Sequence, residues 1–205
     1  MKQTLLLGLI IFGLISCNSK PIEIREETNY TSESADLKSV LKSFRTISKK
    51  IKNVYNRDTT KLELYIQMSE SDKIKKVQSF NDSIGSYYSS YNLIRNKSGQ
   101  IIYIAEFPSS ESGDWNLIYE NYFDSNGNLI AFVRKCSFFN GECAEIVHEK
   151  SEYIYNSRHE LIKKTYEISD GDKKPLDFKK CVFNYRYDYK KFLTIKEYLK
   201  NYKFE

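Results

Sequence analysis

One pattern recurs five times between residue 60 and the C-terminus, and it limits what this chain can become. An aromatic or aliphatic stretch runs into a short polar turn, an aliphatic residue restarts the chain, and a second stretch follows. The turns are MSESDKI (68–74), RNKSGQI (95–101), FDSNGNL (123–129), YNSRHEL (155–161) and YDYKKFL (187–193). Their restart residues Ile74, Ile101, Leu129, Leu161 and Leu193 are 27, 28, 32 and 32 positions apart. Self-similarity at so steady a spacing marks a repeated supersecondary unit. Asn, Asp, Ser and Gly supply the positive-φ or side-chain-bonded positions that tight hairpins need. The Tyr, Phe, Ile and Val around them suit half-buried strands. With 8 Gly and 3 Pro against 17 Tyr and 12 Phe, the composition favours packed sheet over disorder.

Five hairpins in series amount to about ten antiparallel strands, and a sheet of that size curls or closes. The expectation is a mainly β fold: a curled, open antiparallel meander with one helix packed on it. A closed up-and-down barrel, lipocalin-like in outline, is the alternative. The third and fourth units, FDSNGNL and YNSRHEL, resemble the YD-type repeats of some large bacterial surface and toxin proteins. The full YD pattern is longer and more regular, so the resemblance implies shared hairpin chemistry and no function.

Ahead of Thr60 the period is helical. Leu37, Val40, Leu41, Phe44, Ile47, Ile51, Val54 and Tyr55 fall at three- and four-residue steps and share one face, which predicts an amphipathic helix over 36–56. Ser34 or Asp36 can cap its start. The opposite face carries Lys38, Lys42, Arg45, Lys49, Lys50 and Lys52, with no acid between Leu37 and Asn56. Such a face is either a solvated back or a surface for anionic lipid or an acidic protein.

The first sixteen residues read as an address. Lys2 precedes an apolar run from Leu5 to Ile15, far shorter than the roughly 20 residues a membrane-spanning helix needs. A basic start followed by a short apolar core has the form of a signal peptide over 1–16. Leu14-Ile15-Ser16-Cys17 then resembles the lipobox of bacterial lipoproteins: an aliphatic residue, a tolerant position, a small residue and cysteine. The resemblance implies diacylglycerol on the Cys17 thiol, cleavage after Ser16 and acylation of the new amine. Two or more chains make membrane attachment stable where one is marginal. Asn18 stands where an aspartate would retain such a protein in the inner membrane, so the resemblance points to the outer membrane of a Gram-negative bacterium. Residues 17–35 are then the lipidated cysteine and a polar tether containing Pro21, and 36–205 a single β-rich domain large enough for a real core.

Catalytic chemistry has little foothold. The only histidines, His148 and His159, have no partner at metal-ligand spacing; HExxH, CxxC, a Gly-rich phosphate loop and GxSxG are all absent. Acid pairs such as Asp170 and Asp172 lie in loops. The expectation is no enzyme, no metal and no cofactor. The formal charge of +5 on the whole chain falls by one with the signal segment, too mild to argue for nucleic acid.

Three cysteines remain in the body. Cys136 and Cys143 flank FFNG and would face each other if a four-residue loop closed there, whereas a two-residue Asn140-Gly141 turn would set Phe138 opposite Cys143. The competing pairing joins Cys181 to one of them, and one thiol is left over either way. Aromatics are the other resource: Tyr87, Tyr88 and Tyr91 cluster in SYYSSY, and Trp115 follows SSESGD. Exposed, these rings could stack on sugars or anchor a protein; buried, they fill the sheet. The functional expectation is a membrane-anchored, non-catalytic binding or accessory lipoprotein for an envelope protein or glycan. The alternatives are a periplasmic immunity lipoprotein against a toxin, or a barrel carrier of an apolar ligand.

Overall fold

The structure is a computed structural model that describes residues 35–80, 86–140, 143–177, 179, 181 and 190–205. The expected signal segment, Cys17 and the expected tether therefore lie outside the described residues, as do Gly141 and positions 187–189 of the fifth unit.

Helix α1 (Ala35–Arg57) forms where the apolar period runs, and buries Ile51 and Val54 deepest. A short 3-10 turn (Thr59–Lys61) leads into β1 (Glu63–Gln67), followed by β2 (Lys75–Val77), β3 (Ser89–Arg95), β4 (Ile101–Pro108), β5 (Trp115–Phe123), β6 (Leu129–Asn140), β7 (Ala144–Tyr155) and β8 (Leu161–Asp170). These make one antiparallel sheet in the order β2-β1-β3-β4-β5-β6-β7-β8. The mainly β expectation holds, with eight strands among the described residues where about ten were expected. The sheet is open, with β2 and β8 at opposite edges, so the barrel alternative fails. Among the described residues no helix is long and apolar enough to cross a membrane.

Three of the expected turns share one hydrogen-bond pattern. Asn96 Oδ1 accepts from the Ser98 and Gln100 amides at 2.9 and 3.0 Å. Asp124 Oδ1 accepts from Asn126 and Asn128 at 2.8 and 2.9 Å, and Asn156 Oδ1 from Arg158 and Glu160 at 3.0 Å each. A fourth copy, missing from the sequence reading, follows β8: Asp170 Oδ1 accepts from Asp172 and Lys174 at 3.0 and 2.8 Å. The residue three after each acceptor is left-handed: Gly99 and Gly127 at φ 80°, His159 at 63° and Lys173 at 65°. A side-chain acceptor plus one left-handed residue thus turns the chain each time, whether or not that residue is glycine. The register of the flanking strands shifts beside the first three, at Ile94/Arg95, Tyr122/Phe123 and Ile154/Tyr155.

The fifth unit departs from the pattern. Instead of a returning strand, the chain forms helix α2 (Ile195–Tyr202). Thr194 caps it by accepting from the Glu197 amide at 3.2 Å, and Lys203 ends it in a left-handed conformation. Thr194-Ile195-Lys196-Glu197 has the spacing of a capping box, and Ile195, Tyr198, Leu199 and Tyr202 repeat at helical steps, a signal the turn reading overrode. Backbone bonds fasten both ends of α2. Leu129 donates to Leu193 O at 2.8 Å and Ile195 to Gly127 O at 2.9 Å; at the far end Glu205 donates to Ile74 O at 3.0 Å.

Apolar residues are consequently packed on both faces of the sheet. Ile94, Tyr103, Ala105, Tyr122, Ala131, Val133 and Ile154 face α1. Leu93, Ile104, Tyr119, Phe123, Leu129 and Phe132 face the side where Phe192 and Tyr198 pack. That two-sided burial explains why aromatic residues occupy both parities of the central strands.

Candidate functional site

The α1 side of the sheet is only partly covered, and a groove opens over β3, β4 and β5. Ser90 and Asn92 on β3, Phe107 and Pro108 on β4, Ser109 and Ser110 beyond it, and Trp115, Asn116 and Leu117 at the start of β5 line it, with Phe80 and Tyr87. Its volume is about 390 Å³, at the small end of ligand sites, which span roughly 300–1,000 Å³. Phe80 and Tyr87 stack with centroids 6.5 Å apart and planes 28° apart. None of the described lining residues is charged.

Asn92 is the polar centre of this groove. It is 9% exposed, and its Nδ2 donates to Tyr55 Oη on α1 at 2.9 Å. Its Oδ1 is buried with no hydrogen-bond partner among the described residues. An acceptor left in that state costs about 1–3 kcal/mol, and because the atom has no exposed surface a ligand donor in the groove would reach it only with a shift of the side chains above it. Tyr55 orients the amide by taking its NH₂, so the carbonyl oxygen is the end left for a donor. Burial pushes the Tyr55 hydroxyl above its ordinary range, which keeps it in the protonated form.

The aromatic residues singled out from sequence separate in space. Tyr87 and Trp115, 28 positions apart, both line the groove. Trp115 also packs against the core of the opposite face, being set at the strand end. Tyr88 is exposed, 36%, but does not line the groove. Tyr91 is a correction: at 0% exposure it cannot contact a partner. Its parity places it on the α2 side, where Oη donates to Gln67 Oε1 at 2.9 Å and its ring meets Tyr202 and Phe204. Sequence reasoning missed Phe80, Ser90, Asn92, Phe107 and Asn116. Alternation could have paired Ser90 and Asn92 on one face, but only the register Ser90↔Phe107 brings β4 beside them.

A second cleft, about 370 Å³, lies between α1 and β5–β7 and has the opposite character. Phe44, Arg45 and Ser48 form its roof, and Glu120, Tyr122, Lys135, Lys150 and Glu152 line its floor. The floor charges answer one another: Lys135 Nζ is 2.7 Å from Glu120 Oε2, and Lys150 Nζ is 3.3 Å from Glu152 Oε2. Tyr103 Oη adds a donor to Glu120 at 2.9 Å. The charges beneath the helix are thus paired, whereas Ser48 Oγ in the roof is buried with no hydrogen-bond partner among the described residues.

Lys38, Lys42, Arg45, Lys49 and Lys52 all remain exposed on α1. Lys50 differs from them, turning to the sheet so that Nζ reaches Arg95 O at 3.5 Å.

The Cys136–Cys143 pairing is corrected in favour of the competing one. Cys143 bonds Cys181, with Cα atoms 5.7 Å apart, and Cys136 is a buried free thiol. Ladder register is the reason: Asn140 pairs with Ala144 and Cys136 with Glu149, so Cys143 sits in the turn, beyond the reach of Cys136. Burial raises the Cys136 thiol to about 11. Neither histidine joins a cluster. His148 Nδ1 contacts Ser137 Oγ at 2.8 Å and His159 Nε2 contacts Asn128 Oδ1 at 3.3 Å. Among the described residues no group of His, Cys, Asp and Glu is arranged to hold a metal ion. The chain matches no protein-family model, no curated protein and no solved structure.

Proposed function

We propose that this chain is a lipoprotein of the cell envelope, held to the outer membrane of a Gram-negative bacterium through lipid on Cys17. Its domain is a non-catalytic module that binds a neutral glycan in the groove over β3–β5. The observation that carries the ligand assignment is the pairing of uncharged aromatic walls with the buried, unpartnered Oδ1 of Asn92. Sugars present apolar C–H faces that pack on rings and hydroxyls that donate to an amide oxygen. An acidic or basic ligand would enter with its charge uncompensated. The lipobox and the polar tether support the anchoring half of the reading, since a short address and a long leash suit a domain that works beside a bilayer.

Trp115 is the only tryptophan in the chain and lines the groove, so its fluorescence reports occupancy without a label. Titration with a panel of neutral oligosaccharides is expected to give a saturable change. Tyr87→Ala and Asn92→Ala should each weaken binding about tenfold, the equivalent of a lost stacking face or a lost buried hydrogen bond. Charged uronic-acid oligomers should bind poorly. A panel without any saturable response, or binding indifferent to both substitutions, rejects the groove as the glycan site. Cys17→Ser addresses the anchor separately: the product should leave the membrane fraction.

A further inference from the structure

Five cations stand in one row on the exposed side of α1. Lys38, Lys42, Arg45, Lys49 and Lys52 alternate four- and three-residue steps, and at 1.5 Å per residue the row is about 21 Å long. The apolar residues Phe44, Ile47, Ile51 and Val54 occupy the side against the sheet, so packing itself turns the row outward. Among the described residues Lys42, Arg45, Lys49 and Lys52 make no ion pair with an acid, and α1 has no acidic residue after Asp36.

We propose that this row docks on the anionic headgroups of a lipid bilayer, the one to which the Cys17 anchor ties the chain; to that extent it rests on the lipoprotein reading. Three observations favour a lipid surface over a protein. The row is straight and stands proud on a helix backed by a sheet, a shape that meets a plane better than a cleft. Its exposed neighbours Ser39, Ser43, Thr46, Asn53 and Asn56 are polar, so no apolar wedge is present for a hydrophobic partner pocket. Finally, α1 starts only eighteen residues after Cys17, a stretch that reaches at most about 60 Å. The anchored helix therefore samples the headgroup layer at high effective concentration, where weak contacts suffice. Attraction of this kind is electrostatic and reversible by salt. Docking would hold the domain in one orientation instead of leaving it to swing on its tether.

The test uses the full lipidated chain reconstituted in vesicles of phosphatidylcholine alone or with one part in three phosphatidylglycerol. Lysines are acetylated briefly and read by mass spectrometry. Anionic vesicles should slow labelling of Lys42 and Lys49 about fivefold relative to neutral ones, and high salt should restore it. Lys163 and Lys164, exposed on β8, serve as controls and should label equally in both. Equal labelling of Lys42 and Lys49 in the two vesicle types overturns the proposal. So does protection by polyglutamate but not by anionic vesicles, which would assign the row to an acidic protein. Flotation with the neutral vesicles separates the two readings. A chain that fails to float with them has no working anchor, while its salt-sensitive capture by anionic vesicles would still support the row.

Discussion

The turns at 96–100 and 124–128 are built alike and constrained differently. In each, a side-chain oxygen accepts from the amides two and four residues on, and a glycine at φ 80° closes the loop. Around Gly99 a Cβ would meet nothing within 4 Å, whereas at Gly127 it would stand 2.6 Å from Ile195 Cγ2. The reason is α2, whose first residue donates its amide to Gly127 O. One turn is local chemistry alone. The other is local chemistry that a helix arriving from the C-terminus has made into a docking point.

That difference predicts a graded series in urea unfolding. Gly127→Ala should be the most damaging, at about 3 kcal/mol, from the left-handed backbone together with overpacking against Ile195. Adding Ile195→Ala to it should recover part of that loss, because the two side chains compete for one space. A double-mutant cycle with coupling near zero would break the comparison, since it would mean that α2 does not press on the turn. Asp124→Ala should cost about 1–2 kcal/mol, leaving the Asn126 and Asn128 amides to water or to nothing. Gly99→Ala should cost only about 1 kcal/mol, the backbone term by itself; a loss as large as that of Gly127→Ala would show that backbone strain, not docking, sets both. Smallest, and of opposite sign, His159→Gly and Lys173→Gly should leave stability unchanged or raise it by about 0.5 kcal/mol, since each relieves a left-handed side-chain residue at some entropic cost.

The same contrast shows how far the sequence could be read. The turns at 96–99 and 124–127 were legible because Asn or Asp followed by Gly at the fourth place is a local signal, and YNSRHEL was found through its likeness to them. The turn after β8 was passed over because Lys173 occupies the left-handed place and no glycine announced it. α1 was legible from its period. α2 was hidden because the seventh-residue rhythm of a turn-and-restart and the capping box overlap at Leu193 and Thr194. Of the groove, Tyr87 and Trp115 were singled out by type, but so was Tyr91, one strand position deeper and on the wrong face. Asn92 carried no sequence signal: its importance lies in Tyr55 taking one end of its amide and leaving the other.

Local pattern by itself determined the strand-rich class, the helix with its row of cations and the turn chemistry, because each depends on residues within one or two turns of chain. The proposed lipid attachment at Cys17 likewise rests on linear motif alone. Which cysteine finds Cys143, which face each tyrosine joins, and where the aromatic walls converge were decided only by tertiary structure. Those outcomes depend on strand register and on α2 closing over the sheet, and a shift of one residue in either would reverse them.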